Sequence, residues 1–373
     1  MRITFVLPAV TLHGGVRVVA IYAERLKRRG HEVTVVAPPL HISIRRKIKS
    51  LVLGRGWPSL RWEEAYFAET AVKPHILESF RPVLAGDVPD ADVVVATYYT
   101  TADWVRLLPA EKGGKAILIQ NYEVEDGETN PELDASWRMP MQKIVISRWL
   151  LELAREKFGD ARACQVPYGI DFQQFDAPLR QKQEVPTVGL LYSKAWYKAC
   201  GVSLAAVKKV AASLPRLRLI CFGFQRPGPV ALRLPRYAEF HFRPAQSKLK
   251  ELYSQCDVWL CGSDREGFHM PPMEAMACRC PVVSTRVGGP MDMIEEGLNG
   301  HLVERRDVAA LADRVLDVLN LSPGDWKRMS DAAYCTARRY NWDDATDLFE
   351  KALELAIERN RRREWEQSHH ADS

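Results

Sequence analysis

Short apolar runs and stretches with a helical period alternate along most of this chain. Ile3–Leu7, Glu32–Ala37, Asp92–Ala96, Ala116–Gln120, Ile144–Ser147, Thr187–Tyr192, Leu217–Phe222 and Cys256–Cys261 each read as a buried strand. Between them, Val16 to Arg29 has apolar residues at 18, 19, 22, 23 and 26 and is stopped by Gly30. The same pattern predicts helices over Ser147–Phe158, Val202–Leu214, Ser247–Gln255, Asp307–Leu319 and Trp326–Arg339, and a last one after Asn341-Trp342-Asp343-Asp344 to about Arg359. The strand–helix–strand rhythm begins at Ile3 and begins again at Thr187, which predicts two similar α/β domains. Asp176 to Pro186, rich in charge, Gln and Pro and without periodicity, reads as a linker between a first domain over 1–175 and a second over 187–342.

Length agrees with this division, since 373 residues suffice for two cores. A hydrophobic content of 47% and a charged content of 27% are those of a globular protein. No run of eighteen apolar residues predicts a transmembrane helix, and the strand-like start Met1–Leu7 lacks a cleavage site, so a cytoplasmic protein is expected. The eight cysteines, seven of them from Cys200 onward, have no disulfide spacing, and Cys278-Arg279-Cys280 lacks the partner pair of a zinc site. All eight read as reduced thiols.

The net charge of +5 gives no ground for a nucleic-acid partner, but its distribution is uneven. Ile42 to Arg61 carries Arg45, Arg46, Lys47, Lys49, Arg55 and Arg61 with no acid, and Ile44, Ile48, Leu51 and Val52 recur at helical spacing before Trp57. Two readings stand: an amphipathic helix on the inner face of an anionic membrane, or the solvated face of an ordinary helix. A second cluster, Arg359, Arg361, Arg362 and Arg363, reads as the end of the last helix, and His369–Ser373 as a disordered tail.

Chemistry concentrates in Ser263–Ala277. Glu266 and Glu274 stand eight positions apart around Gly267, Phe268, His269, Met270 and two prolines. A strand before and helix formers after place Glu266 in a loop and Glu274 in the first turn of a helix, where Pro272 costs no hydrogen bond. Free N–H groups at such a start suit an anion, and a neighbouring carboxylate suits sugar hydroxyls. The bare spacing also fits two solvated glutamates and a capped helix. Lys194 and Lys198, in the turn after the strand that starts the second domain, are either phosphate ligands or a solvated basic turn. Gly14-Gly15 opens the first helix and lets a backbone approach a ligand. Tyr98, Tyr99, Thr100, Asn121, Tyr122 and Glu123 fall at carboxyl ends of strands, where α/β sheets bind ligands. Asp90-Ala91-Asp92 has the D-x-D form of a metal motif, yet Asp92 directly precedes an apolar strand, so we read it as capping the strand entry.

The string Glu266-Gly267-Phe268-His269-Met270-Pro271-Pro272-Met273-Glu274-Ala275-Met276-Ala277, with Cys278-Arg279-Cys280-Pro281-Val282-Val283, Gly288-Gly289 and Gly297–Val303, resembles the signature of glycosyltransferase family 4. His269 replaces the family's glycine, and Asp292 stands where a glutamate is usual after the Gly-Gly. Val166–Asp171 resembles the family's V-P-x-G-I-D segment. Lys198 matches the lysine of its diphosphate-binding pair, with Ser193 at the arginine position and Lys194 as the substitute charge. Arg243–Gln246 falls where relatives cradle the nucleobase, and the family's histidine after the strand ending in Thr97-Tyr98-Tyr99 is absent.

The resemblance implies the GT-B fold: two Rossmann-like domains facing across a cleft, with a C-terminal helix over 343–365 returning to the first. It implies a metal-independent, retaining hexosyltransferase without a cofactor, taking a nucleotide-diphosphate sugar as co-substrate and a glycan, lipid-linked or small-molecule hydroxyl as acceptor, in polysaccharide biosynthesis. Glu266 and Lys198 are then the catalytic residues, Glu266 as positioner of the sugar and not as nucleophile. Gly14, Gly15, Lys194, Lys198, Gly267, Phe268, His269, Met270 and Glu274 bind the donor. A sugar-nucleotide epimerase of the same fold, or a non-catalytic sugar-nucleotide-binding protein, would share most of these features.

Overall fold

A computed structural model describes residues 1–41, 66–122, 124, 128–228 and 232–364. The basic stretch Ile42–Arg61 and Glu123 lie outside the described residues. The chain divides into two units: Met1–Ile146, Leu150–Val166 and the chain from Thr346 form the first, Ser147–Trp149 and Pro167–Ala345 the second.

The first unit holds a parallel seven-stranded sheet in the order β3-β2-β1-β4-β5-β6-β7. Its strands are β1 (Arg2–Val6), β2 (Glu32–Ala37), β3 (His75–Ile76), β4 (Val93–Ala96), β5 (Gly114–Ile119), β6 (Gln142–Val145) and β7 (Cys164–Gln165). β1 pairs with β2 on one side and β4 on the other. The chain's direction across the sheet reverses there, and the order is that of a doubly wound α/β domain. The final helix, Trp342–Arg361, packs within this unit from Thr346 on. Phe349 stacks on Tyr22 at 4.3 Å between centroids, and Arg29 binds Asp347 and Glu350 at 2.5 and 2.6 Å. A Cβ on Gly114 would lie 2.5 Å from Ala356 O, so only glycine lets this helix approach β5.

The second unit repeats the plan with six parallel strands in the order β10-β9-β8-β11-β12-β13. These are β8 (Thr187–Leu191), β9 (Arg218–Gly223), β10 (Ala238–Phe242), β11 (Val258–Cys261), β12 (Val282–Thr285) and β13 (Gly300–Val303). The reversal falls between β8 and β11, which pair through Val258–Leu260 and Val188–Leu190. The strands read from apolar runs all form. The apolar pattern did not predict β3, β7, β10, β12 or β13, nor the helices Tyr99–Arg106 and Pro131–Arg138.

Two expectations change. Residues 167–175 group with the second unit, because Ile170 N bonds Tyr340 O at 3.0 Å and Gly169 packs on the Asn341–Trp342 backbone. The segment 176–186 is no free linker. Arg180 donates to the carbonyls of Cys256, Cys278 and Arg279, and its guanidinium lies 4.7 Å from the Trp326 ring. Lys182 donates to Leu319 O and Leu321 O, while Asp257 accepts from Gln183 N and Thr187 N. The charges that marked the segment as polar tie it across the second unit.

Candidate functional site

The carboxyl ends of β8 and β11 lead into the two loops that carry most of the predicted residues. After β8, a 3-10 turn over Trp196–Lys198 ends at Ala199, which has φ 39° and starts the helix Cys200–Ser213. After β11, residues 262–269 lead into the helix Met270–Ala277. Backbone bonds join the loops: Tyr197 O accepts from Asp264 N at 2.8 Å and from Arg265 N at 3.3 Å. Lys198 Nζ thereby reaches Glu266 and donates to both carboxylate oxygens at 2.8 Å. Ser263 Oγ donates to Glu266 Oε1 at 2.7 Å, and His269 Nε2 lies 3.3 Å from the same oxygen.

All four groups are wholly or largely buried, with Lys198 the most open at 20% side-chain exposure. Burial opposes the charge on Glu266, but the contacts with His269, Lys198 and Ser263 outweigh it and hold the carboxyl below its ordinary range. Burial likewise opposes the Lys198 ammonium, and Glu266 more than compensates, raising its pKa. For His269 burial wins over the attraction of Glu266, so the ring's pKa is pushed down to about 4 and it is neutral near pH 7. Glu266 has both oxygens engaged, which suits a positioning carboxylate better than an attacking one.

Glu274 is the fifth residue of the Met270–Ala277 helix, in its second turn and not the first turn expected from sequence; it is buried, and Tyr253 OH donates to its Oε2 at 2.8 Å. Of the residues that open this helix, Pro271 and Pro272 have no N–H, and that of Met273 closes the first helical turn, so the backbone donors that face outward are those of Gly267, Phe268, His269 and Met270. The Phe268 ring is buried against Tyr168 at 5.1 Å, leaving its backbone as the part that can meet a ligand. Gly288 and Gly289 explain their place in the motif. A Cβ on Gly288, at φ +50°, would stand 2.4 Å from Glu266 O, and one on Gly289 2.0 Å from Phe268 O. Gly267 O accepts from Gly289 N at 3.2 Å and Trp149 Nε1 at 3.1 Å, fixing the loop's outer side.

Other predicted residues are placed differently. Lys194 is exposed, with its N–H on Gln225 Oε1. Asp292 accepts from Arg148 N at 2.8 Å, so the shortened side chain is engaged by backbone. Arg243 adopts φ 49° and places its guanidinium 5.2 Å from the Phe242 ring. In the first unit, Gly14 and Gly15 are the first residues of the helix Gly14–Arg28. Gly15 lies against Gln120, whose amide would be 3.0 Å from an added Cβ, while nothing lies within 4 Å of one at Gly14. Tyr98 caps the helix Tyr99–Arg106 and is exposed. Tyr122 is buried beside Trp137 and donates to Asp134 at 2.6 Å, so it does not open at a strand end as the sequence reading had it. Asp90 pairs with Lys112 at 2.9 Å and Asp92 accepts from Arg2 N at 2.7 Å, the strand-entry role read from sequence. Ser263 and Tyr253, which the sequence reading did not single out, complete the shells of the two glutamates. Ser263 lies three residues before Glu266, the one local signal that pointed to it.

Two doubly wound parallel sheets, one in each unit, are those of the GT-B class. Anabaena HepE in complex with UDP-glucose aligns with a TM-score of 0.73 over 95% of this chain and 100% of its own, at 16% identity. Sucrose-phosphate synthase from Thermosynechococcus elongatus gives 0.70 over 95% and 98%, at 15% identity. Residues 182–321 match the family model of Glycosyl transferases group 1, so the resemblance read from Glu266–Val303 extends over that stretch. D-inositol 3-phosphate glycosyltransferase of Mycobacterium leprae is 32% identical over 167 residues, 40% of this chain. The corresponding enzyme of Mycobacterium bovis is 33% identical over 167 residues. The match spans 38% and 34% of the length of these two relatives. Among the described residues, no helix is long and apolar enough to cross a membrane.

Proposed function

We propose that this protein moves a hexose or deoxyhexose from a nucleotide-diphosphate sugar to a hydroxyl of a glycan, lipid-linked or small-molecule acceptor, with retention of configuration. The observation that carries this is the buried Lys198–Glu266–Ser263 cluster at the sheet's reversal point, where α/β domains hold nucleotides, with Glu274 on the helix that follows its loop. Two of the three Lys198 N–H groups serve Glu266, which leaves one for a diphosphate oxygen. Glu274, steadied by Tyr253, accepts from the ribose hydroxyls. The backbone N–H groups of Gly267, Phe268, His269 and Met270 and the carboxylate of Glu266 orient the sugar and the leaving group, with Lys194 as a further donor contact.

In the step itself the acceptor oxygen forms a bond to the anomeric carbon and the bond from that carbon to the phosphate oxygen breaks. Attack comes from the same face, and the acceptor's proton passes to the leaving phosphate. No protein base is then required, and the charge developing on the diphosphate is met by Lys198. No cofactor or metal is called for.

The test is release of nucleoside diphosphate from a panel of nucleotide sugars with and without candidate acceptors. Steady release only with acceptor supports transfer. Free sugar released without acceptor supports an epimerase-type enzyme, and binding without turnover a non-catalytic protein. For Ile42–Arg61 we propose contact with an anionic membrane from the cytoplasmic side, supported by its basic residues and by Ile44, Ile48, Leu51 and Trp57. Co-sedimentation with anionic liposomes at low salt and release at 1 M salt supports this; failure to sediment refutes it and favours a soluble acceptor.

A further inference from the structure

His269 is the clearest departure of this chain from its motif, and its surroundings give the ring a use. It stands at φ 67°, the left-handed region that a glycine would occupy without strain, at the start of the Met270–Ala277 helix. The ring is 2% exposed, and Nδ1 is buried with no hydrogen-bond partner among the described residues. Nε2 faces Glu266 Oε1 at 3.3 Å. A neutral imidazole carries one N–H, and a carboxylate only accepts, so the proton belongs on Nε2 and Nδ1 holds a lone pair. A side chain at a helix start ordinarily satisfies such an acceptor with the N–H of the second or third helical residue. Here those residues are Pro271 and Pro272, which have none. The helix cannot satisfy Nδ1, and a buried acceptor left unmade is costly enough to be retained for a ligand.

We propose that His269 Nδ1 accepts a hydrogen bond from a hydroxyl of the donor's sugar, making His269 a specificity-determining residue for that sugar. This rests on the nucleotide-sugar reading above. It gives the site a side-chain acceptor besides Glu266, at a place where a glycine supplies only backbone. A sugar lacking the matching hydroxyl leaves Nδ1 unmet and is selected against.

The two ring nitrogens can be separated by substitution. Asparagine places an amide atom near the position of Nδ1 and tolerates positive φ; glutamine reaches the position of Nε2 and leaves Nδ1 unreplaced. The experiment is calorimetric titration of the wild type, His269→Asn and His269→Gln with UDP-glucose, GDP-mannose, ADP-glucose and TDP-glucose, each beside its parent nucleoside diphosphate. Melting curves confirm that each variant is folded. For the sugar that binds, His269→Gln should weaken affinity about tenfold, the loss of one hydrogen bond to the ligand, while His269→Asn keeps most of it. The loss in His269→Gln should be larger for the sugar nucleotide than for its bare diphosphate. If glutamine retains sugar affinity and asparagine loses it, the ring serves Glu266 and the proposal is wrong. Equal sugar affinity in all three proteins also overturns it, while the nucleotide-sugar reading stands. Failure of wild type to bind any of the four pairs removes both.

Discussion

Lys198→Met leaves Glu266 in place with its strongest partner gone. The wild-type pair has two contacts of 2.8 Å, with side-chain exposures of 20% for the lysine and 6% for the glutamate. Removing one member of a buried pair costs about 3–5 kcal/mol, and the partial exposure of Lys198 places this case near the lower figure. At roughly 2–4 °C per kcal/mol for a unit of this size, melting should fall by about 6–12 °C. Glu266→Gln should cost less, because Lys198 can turn its ammonium to water. The double variant should recover part of the loss, with a coupling of about 1–3 kcal/mol. The penalty of Lys198→Met should also depend on pH. Glu266 is held below its ordinary pKa in the wild type, so its contribution is complete above about pH 4.5 and is lost as pH falls through the lower folded value. Without Lys198 the carboxyl takes up a proton at higher pH, and the gap between variant and wild type should narrow from pH 7 to pH 4.5. Differential scanning calorimetry of the four proteins at several pH values measures all of this. A Lys198→Met variant within 0.5 kcal/mol of wild type, or a coupling near zero, refutes the buried-pair account.

His269 makes a separate pH prediction. Its folded pKa of about 4 lies below the ordinary 6.5, so its contribution is full above 6.5 and declines by roughly 1.4 kcal/mol per pH unit as pH falls towards 4. The stability difference between wild type and His269→Asn, measured by urea unfolding from pH 7 to pH 4.5, should show that slope; a flat difference contradicts a buried neutral ring. Gly289→Ala should cost about 1–3 kcal/mol and weaken donor binding, since the new Cβ falls 2.0 Å from Phe268 O and must displace the loop. A melting temperature and donor affinity equal to wild type would show that the loop yields freely. Transfer activity should survive EDTA, because Lys198 and the backbone donors already meet the diphosphate charge. Strict dependence on Mg²⁺ or Mn²⁺ would contradict this.

The fold was mostly legible where strands are buried on both faces, because there the apolar runs are continuous: Val93–Ala96 and Val258–Cys261 are buried at every residue, although β12 (Val282–Thr285), buried as completely, did not stand out from the motif that contains it. It was not legible at the edges. β10 is partly or fully exposed along its length and mixes Glu239 and His241 with aromatics, and β3 and β7 are two residues each. The strap 176–186 was misread because a sequence shows charge but not the carbonyls that Arg180 and Lys182 reach, some 76 to 139 positions away. The candidate site was half legible. Glu266, Glu274 and Lys198 were singled out by motif, yet as separate contacts, and the pairing of Lys198 with Glu266 across 68 positions appears only when β8 and β11 lie side by side. Tyr253 was hidden for the same reason, since its bond to Glu274 spans a helix and a strand.

The central claim is that the second unit binds a nucleotide-diphosphate sugar through Glu274 and Lys198. Its most direct test is calorimetric titration of the full chain and of Glu274→Ala with the nucleotide sugars and diphosphates named above. The account predicts saturable one-to-one binding of at least one of them by the wild type. In a folded Glu274→Ala variant that affinity should fall by about tenfold or more, from the loss of roughly 1.5–3 kcal/mol per charged hydrogen bond to the ribose. Undiminished affinity in the variant, or a folded wild type that binds none of them, would contradict it.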